Sequence, residues 1–335
     1  MKNWQQILIA FSVVFVGVVL GGLLMREPEA QKKLQPLQQN TPPPTSMIQS
    51  NSSSESIDTD ISVEEVVTKQ EWYKDQVLVL MYHHISDKTD KRFSISPQLF
   101  AEHMKFLHEN DIHPITLAEF LRFVDTGVLP TNNAVLLTFD DGYESYYTEA
   151  YPVMKKYNFP SVNFVIAGRL RDTLERKREN MTTPLTVEQI SEMQSSGLVD
   201  IASHTYSLHD QAEKEEWGAL DLESKTAPVF LEDLRRIEED QEYRNRLFVD
   251  FTMSRVALAD LIKKPIDVIS LPHGYQNQQV IETAKEAGYD YIFNSRPAIV
   301  KPGVSSLDIP RFGVGSELKD VTKLRQLFMD AKLKQ

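Results

Sequence analysis

From residue 77 onward, short apolar runs alternate with longer segments in which apolar residues return every three or four positions. The runs VLVLMY (77–82), AVLLTF (134–139), SVNFVIAG (161–168), LVDIASH (198–204), IDVISLPHG (266–274) and YDYIFN (289–294) read as buried strands. Between them, SPQLFAEHMKFLHEND (96–111) has helical spacing, with Ser96 as N-cap and Pro97 at the first helical position. TLAEFLRFVDTG (116–127) predicts a second helix, with Thr116 and Glu119 forming a capping box and Gly127 as the stop. YESYYTEAYPVMKKYN (143–158) predicts a helix bent at Pro152, and TVEQISEMQSSG (186–197) and QQVIETAKEAG (278–288) predict two more. A charged stretch from about 211 to 263 reads as mostly helical. Strands alternating with helices predict a mostly parallel sheet, open or closed into a barrel. In such folds the chemistry sits at the C-terminal strand ends, where FDDG, SH and PHG fall.

The pattern before residue 77 is different. ILIAFSVVFVGVVLGGLLM (7–25) carries no charge over 19 residues, the length of a bilayer-spanning helix. It reads as a membrane anchor first and a cleaved signal peptide second, the segment covering residues 1–26. Lys2 lies on one side of it, and Arg26, Lys32 and Lys33 on the other, so loop charge does not set the orientation. Residues 27–72 are rich in Gln, Pro, Ser and Asn and predict a flexible linker. The folded domain is expected over 73–335.

The net charge of −12 argues against binding nucleic acid through its phosphates. The chain has no cysteine, so any metal must sit on His, Asp or Glu.

Two stretches carry candidate chemistry. LLTFDDGYES (136–145) ends an apolar run in two adjacent aspartates, Asp140 and Asp141, whose charges repel and are costly to bury. A turn would explain Asp-Asp-Gly, and so would a site that holds a cation. In SHTYSLHD (203–210), His204 and His209 are five residues apart. On a helix they would point about 140° apart, whereas a strand-end loop can bring them together. Two histidines and an aspartate with one open position form a catalytic metal pattern. Two loop histidines alone are more often surface residues.

TFDDG (138–142), with FPSVNFVI after the next helix, resembles the first motif of the polysaccharide deacetylases with the NodB-homology fold. SHTYSLH resembles their second motif, and its five-residue spacing is similar to the branch acting on poly-N-acetylglucosamine. VLMYHHIS (79–86) resembles that branch's opening strand. LPHGYQNQQVIETAKEAGYD (271–290) is similar to the third motif, with His273 in place of a common tyrosine, and IPRF (309–312) resembles a late strand.

The resemblance covers about residues 75–315 and implies a distorted (β/α) barrel of the NodB-homology type. It implies that Asp141, His204 and His209 hold a divalent metal, Zn2+ first, and that Asp140 is the general base. His83 is implied as general acid with His84 competing, because no histidine follows His273. Ser270-Leu271-Pro272 lacks the arginine that orients the base in the family, and Arg311 is the candidate replacement in space. A backbone N–H near His273 is the expected oxyanion donor. The family's Asp/Trp motif is not evident near Trp217. His103, His108 and His113 are expected on a surface helix and its following loop, with no role.

The activity so implied is removal of N-acetyl groups from an extracellular N-acetylglucosamine polymer. Poly-β-1,6-N-acetylglucosamine is favoured and peptidoglycan comes next. The protein would be a membrane-tethered enzyme with its catalytic domain outside the cell, or a secreted one. The alternatives are hydrolysis of another amide or cyclic imide, an inactive carbohydrate-binding protein of the same fold, and an acidic adaptor with purely structural motifs.

Overall fold

The computed structural model describes residues 71–87, 93–170, 182–212, 223–224, 226–315 and 320–333. The expected anchor and Trp217 lie outside the described residues, as does the expected linker up to residue 70. No helix among the described residues is long and apolar enough to cross a membrane.

The sheet is built from β1 (Leu78–Tyr82), β2 (Ala134–Phe139), β3 (Ser161–Val165), β4 (Val199–Ser203), β5 (Val268–Ser270), β6 (Tyr291–Phe293) and β7 (Phe312–Gly313). Its order is β6-β5-β4-β3-β2-β1-β7, and the two-residue strand His113–Pro114 also pairs with β2. Every pairing in it is parallel, as the alternating pattern predicts. The result is a parallel α/β half-barrel. One segment spans its two edges: Ile309 bridges Phe293, and Phe312 and Gly313 pair with Leu80 and Met81.

Successive strand residues point to opposite faces. Leu78, Leu80 and Tyr82 join one buried cluster and Val77 and Val79 join another. The second cluster takes Phe120 and Phe123 from α2 (Leu117–Thr126). The first takes the apolar faces of α1 (Pro97–Glu109), α3 (Tyr151–Tyr157), α4 (Val187–Ser195), α5 (Asp240–Ile262), α6 (Gln278–Glu286) and α7 (Val321–Leu333). Trp72, at the end of the stretch read as linker, is buried against Phe106 and Phe328.

The helix starts follow the caps. Ser96 accepts the Leu99 N–H, and Thr116 and Glu119 bond reciprocally. The expected bend at Pro152 is a π-helical turn, Tyr146–Ala150, that runs into α3. A wider turn accommodates the N–H that proline lacks.

Two expectations are corrected. The stretch 211–263 is helical only from Asp240. Before it lie the pairs Gln211–Ala212 with Glu223–Ser224 and Phe230–Leu231 with Arg236–Ile237, the latter turning through Arg235 at φ 51°. Charged composition alone does not separate a helix from a hairpin. His103 is not a surface residue: it is fully buried on α1, and its Nδ1 lies 3.2 Å from the Tyr82 hydroxyl.

Candidate active site

The site lies where the strands end. β2 stops at Phe139, and the chain turns through Asp140 and Asp141, the latter at φ 72°. Gly142 follows at φ 65°, and a Cβ there would come within 2.9 Å of Val165 Cγ1, so the turn demands glycine. Its carbonyl accepts the Leu185 N–H, which ties the turn to the next crossover. The two carboxylates are buried and adjacent, yet they face different partners.

Asp141 faces two histidines. Its Oδ1 lies 3.4 Å from His204 Nε2 and 3.0 Å from His209 Nε2. The ligand atoms of Asp141, His204 and His209 all lie within 4.8 Å of one another. His204 Nδ1 donates to the Ser270 carbonyl at 2.8 Å, which leaves a lone pair on Nε2 of the neutral ring, aimed at Asp141. Two acceptors face each other, and Asp141 Oδ1 is buried with no hydrogen-bond partner among the described residues. A cation resolves both problems, so the donor set fits a divalent metal. Burial raises the Asp141 carboxyl, and in the absence of an ion only imidazoles that donate to it can offset that shift. His204 and His209 in that donating form hold it well below the usual carboxylate range.

Asp140 faces Arg311. Two N–H···O bonds of 2.7 Å join guanidinium and carboxylate in a bidentate pair. Arg311 also donates to Ser270 Oγ at 2.6 Å. Burial raises the Asp140 carboxyl, and Arg311 with His204 and His83 brings it below its ordinary value. Arg311 reaches this carboxylate from the segment entering β7.

His83 follows β1, with its Nε2 4.0 Å from Asp140 Oδ2. Its ring stacks on Phe93 at 4.7 Å, and its Nδ1 is buried without a partner among the described residues. Burial lowers its pKa, and the Asp140 and Asp141 carboxylates beside it oppose that shift. His84 points elsewhere: its Nδ1 lies 2.8 Å from Ser145 Oγ and its ring meets the edge of Tyr143. His273 adopts φ 55°, and its ring lies 4.6 Å from that of His209.

These groups open into one cavity of about 730 Å³, which Tyr143 and Phe93 also line. Neither aromatic residue stood out in the sequence. Tyr143 follows the FDDG turn directly, and that adjacency is the signal it offered.

Residues 128–292 match the polysaccharide deacetylase family model. That window contains Asp140, Asp141, His204, His209 and His273; His83 precedes it and Arg311 follows it. The chain is 30% identical over 258 residues to the poly-β-1,6-N-acetyl-D-glucosamine N-deacetylase of Escherichia coli (strain K12). That alignment takes in 74% of this chain and 38% of the relative, so the chain spans well under half of that protein's length. A protein of the same description from Staphylococcus aureus (strain MSSA476) is 26% identical over 237 residues, 71% of this chain and 73% of that one. Among solved structures, a de-N-acetylase from Aggregatibacter actinomycetemcomitans superposes with a TM-score of 0.67 at 29% identity, over 75% of this chain and 99% of that one. The chain carries a polysaccharide deacetylase domain over residues 128–292.

Proposed function

We propose that this protein removes N-acetyl groups from poly-β-1,6-N-acetylglucosamine, releasing acetate and leaving a free sugar amine. One observation carries the reading. A carboxylate gripped by arginine, an Asp-His-His cluster fit for a divalent ion and a half-buried histidine line the same cavity. The two curated relatives above bear the name of a deacetylase of that polymer, which favours it over peptidoglycan.

Asp141, His204 and His209 would hold the ion, with zinc the first candidate for this donor set. When bound there, such an ion supplies a Lewis acid for an acetyl carbonyl and acidifies water. The chain's own groups do the rest. Asp140 takes the proton of the attacking water, and Arg311 keeps it ionised and aimed. The C–N bond breaks as His83, entering in its protonated form, hands its proton to the departing amine, which would otherwise leave as a strongly basic anion; the proton that Asp140 took from water then returns to His83. The acyl group departs as acetate. A backbone N–H near His273 helps bind the oxyanion in this reading. The catalytic domain acts outside the cell, tethered by residues 7–25 or released after cleavage.

The test is acetate release by the full chain on poly-β-1,6-N-acetylglucosamine and on peptidoglycan, with and without a chelator. Chelator-sensitive release from the first polymer is expected. Release only from peptidoglycan overturns the substrate. No release from either by a folded, zinc-loaded protein overturns the activity and returns weight to a binding-only protein.

A further inference from the structure

The loop that carries both candidate metal ligands is held from outside by a helix that contributes no ligand. Thr205 follows His204 at φ 68°, a strained conformation for a β-branched residue. The next two residues are clamped. Asp250 on α5 accepts the Tyr206 N–H at 2.8 Å through Oδ1 and the Ser207 N–H at 2.8 Å through Oδ2. Its Oδ2 also accepts the Ser207 hydroxyl at 2.9 Å. One turn along the same helix face, Ser254 Oγ lies 2.8 Å from Ser203 Oγ, which in turn accepts the Thr205 N–H at 3.1 Å. From the other side, the Ala167 and Gly168 N–H groups donate to the Thr205 and Tyr206 carbonyls. Gly168 has to be glycine for that contact, because a Cβ would lie 2.4 Å from the Tyr206 oxygen.

We propose that Asp250 is a positioning residue: its clamp on Tyr206 and Ser207 sets the path between His204 and His209, and with it the ligand geometry presented to a divalent ion. The inference rests on the metal reading given above. Five residues separate the histidines, and their Nε2 atoms must still meet at one Asp141 oxygen. The intervening chain has no regular structure of its own. A carboxylate that collects two consecutive backbone N–H groups fixes both position and direction there. Asp250 is buried, at 6% exposure, 46 residues from His204, and touches neither ligand side chain. A buried carboxylate costs folding energy, and this one spends its acceptors on the ligand loop.

The test uses the full chain loaded with Co2+ alone. Affinity is read by competition with a metallochromic chelator, and ligand geometry by the visible cobalt spectrum. Asp250→Asn keeps one acceptor but turns an amide N–H2 toward a backbone N–H. It is expected to weaken Co2+ binding about 10–100-fold and to alter the spectrum. Ser207→Ala removes one bond of the clamp and spares the carboxylate. It is expected to weaken binding by about threefold and serves as the reporter should Asp250→Asn fail to fold. A purely structural Asp250 would lower the melting temperature and leave affinity and spectrum as in the parent; that result in the variants that fold overturns the proposal. A parent that binds no divalent ion overturns the metal reading together with it, so the two failures are told apart.

Discussion

Arg311 and Asp140 meet through two parallel bonds of 2.7 Å, with both side chains sealed from solvent. The other N–H groups of Arg311 are spoken for as well, by the Asn294 carbonyl, Thr138 Oγ1 and Ser270 Oγ. A guanidinium with all five donors engaged cannot rotate, and neither can the carboxylate it holds. The pair therefore fixes both the charge and the aim of the proposed base.

Lysine cannot reproduce that fork. Arg311→Lys keeps a positive charge but loses the bidentate geometry. A lost charge-assisted bond of about 1.5–3 kcal/mol lowers kcat roughly 10–100-fold, with KM little changed. Arg311→Met leaves Asp140 buried and unpaired, and costs about 3–5 kcal/mol of stability. Steady-state kinetics and denaturant melts separate the two effects. A lysine variant with parental kcat would remove Arg311 from the mechanism.

The roles proposed for the two aspartates differ, and substitution separates them. His204→Ala removes one of three ligands and is expected to abolish metal binding and activity together. Asp140→Asn leaves the Asp141 cluster intact, so metal content stays at the parental level while turnover falls by orders of magnitude. Metal analysis of the purified variants beside acetate release decides the matter. Loss of metal in Asp140→Asn would mean that the roles of Asp140 and Asp141 are reversed.

Strand ends and helix caps were legible in the sequence because each is a local signal. An apolar run that stops at FDDG marks where β2 ends, and Thr116 with Glu119 marks where α2 begins. Arg311 was legible only as a candidate, since it meets Asp140 across 171 residues and no local pattern encodes that contact. The choice between His83 and His84 needed the turn of the chain beyond β1, which adjacent residues cannot reveal. His103 was misread although its position carried the answer. It falls three residues after Phe100 and four before Leu107, on the buried stripe of α1. Asp250 gave no signal, as one carboxylate in an acidic helix looks like a solvated face.

Buried His103 makes stability depend on pH. Burial pushes its pKa down to about 4, and Asp320 opposes the shift only weakly. The unfolded chain titrates near 6.5 and takes up the proton first. Stability is therefore lost as pH falls from about 6.5 to about 4, where the folded state protonates too and the loss levels off. The shift corresponds to roughly 3 kcal/mol across that window. His103→Gln is expected to flatten this part of a stability-against-pH curve measured by urea melts. An unchanged slope would assign the acid sensitivity to other groups.

His83 and His84 are neighbours with different surroundings, and kinetics can tell them apart. His83 is half-buried beside Asp140 and stacked on Phe93, with Nε2 toward Asp140. His84 is engaged by Ser145. Replacing a general acid typically costs 10²–10⁴-fold, so His83→Asn is expected to fall in that range and His84→Asn to lose under about tenfold. The substrate sharpens the test. Amide cleavage expels an amine that must be protonated, whereas an activated acetyl ester expels a stable phenolate that need not be. His83→Asn should lose amide hydrolysis and keep most of its ester hydrolysis, while Asp140→Asn, lacking the base, should lose both. Equal losses on amide and ester in His83→Asn would show that His83 shapes the cavity rather than supplying the proton. A selective amide loss in His84→Asn would transfer the acid role to His84.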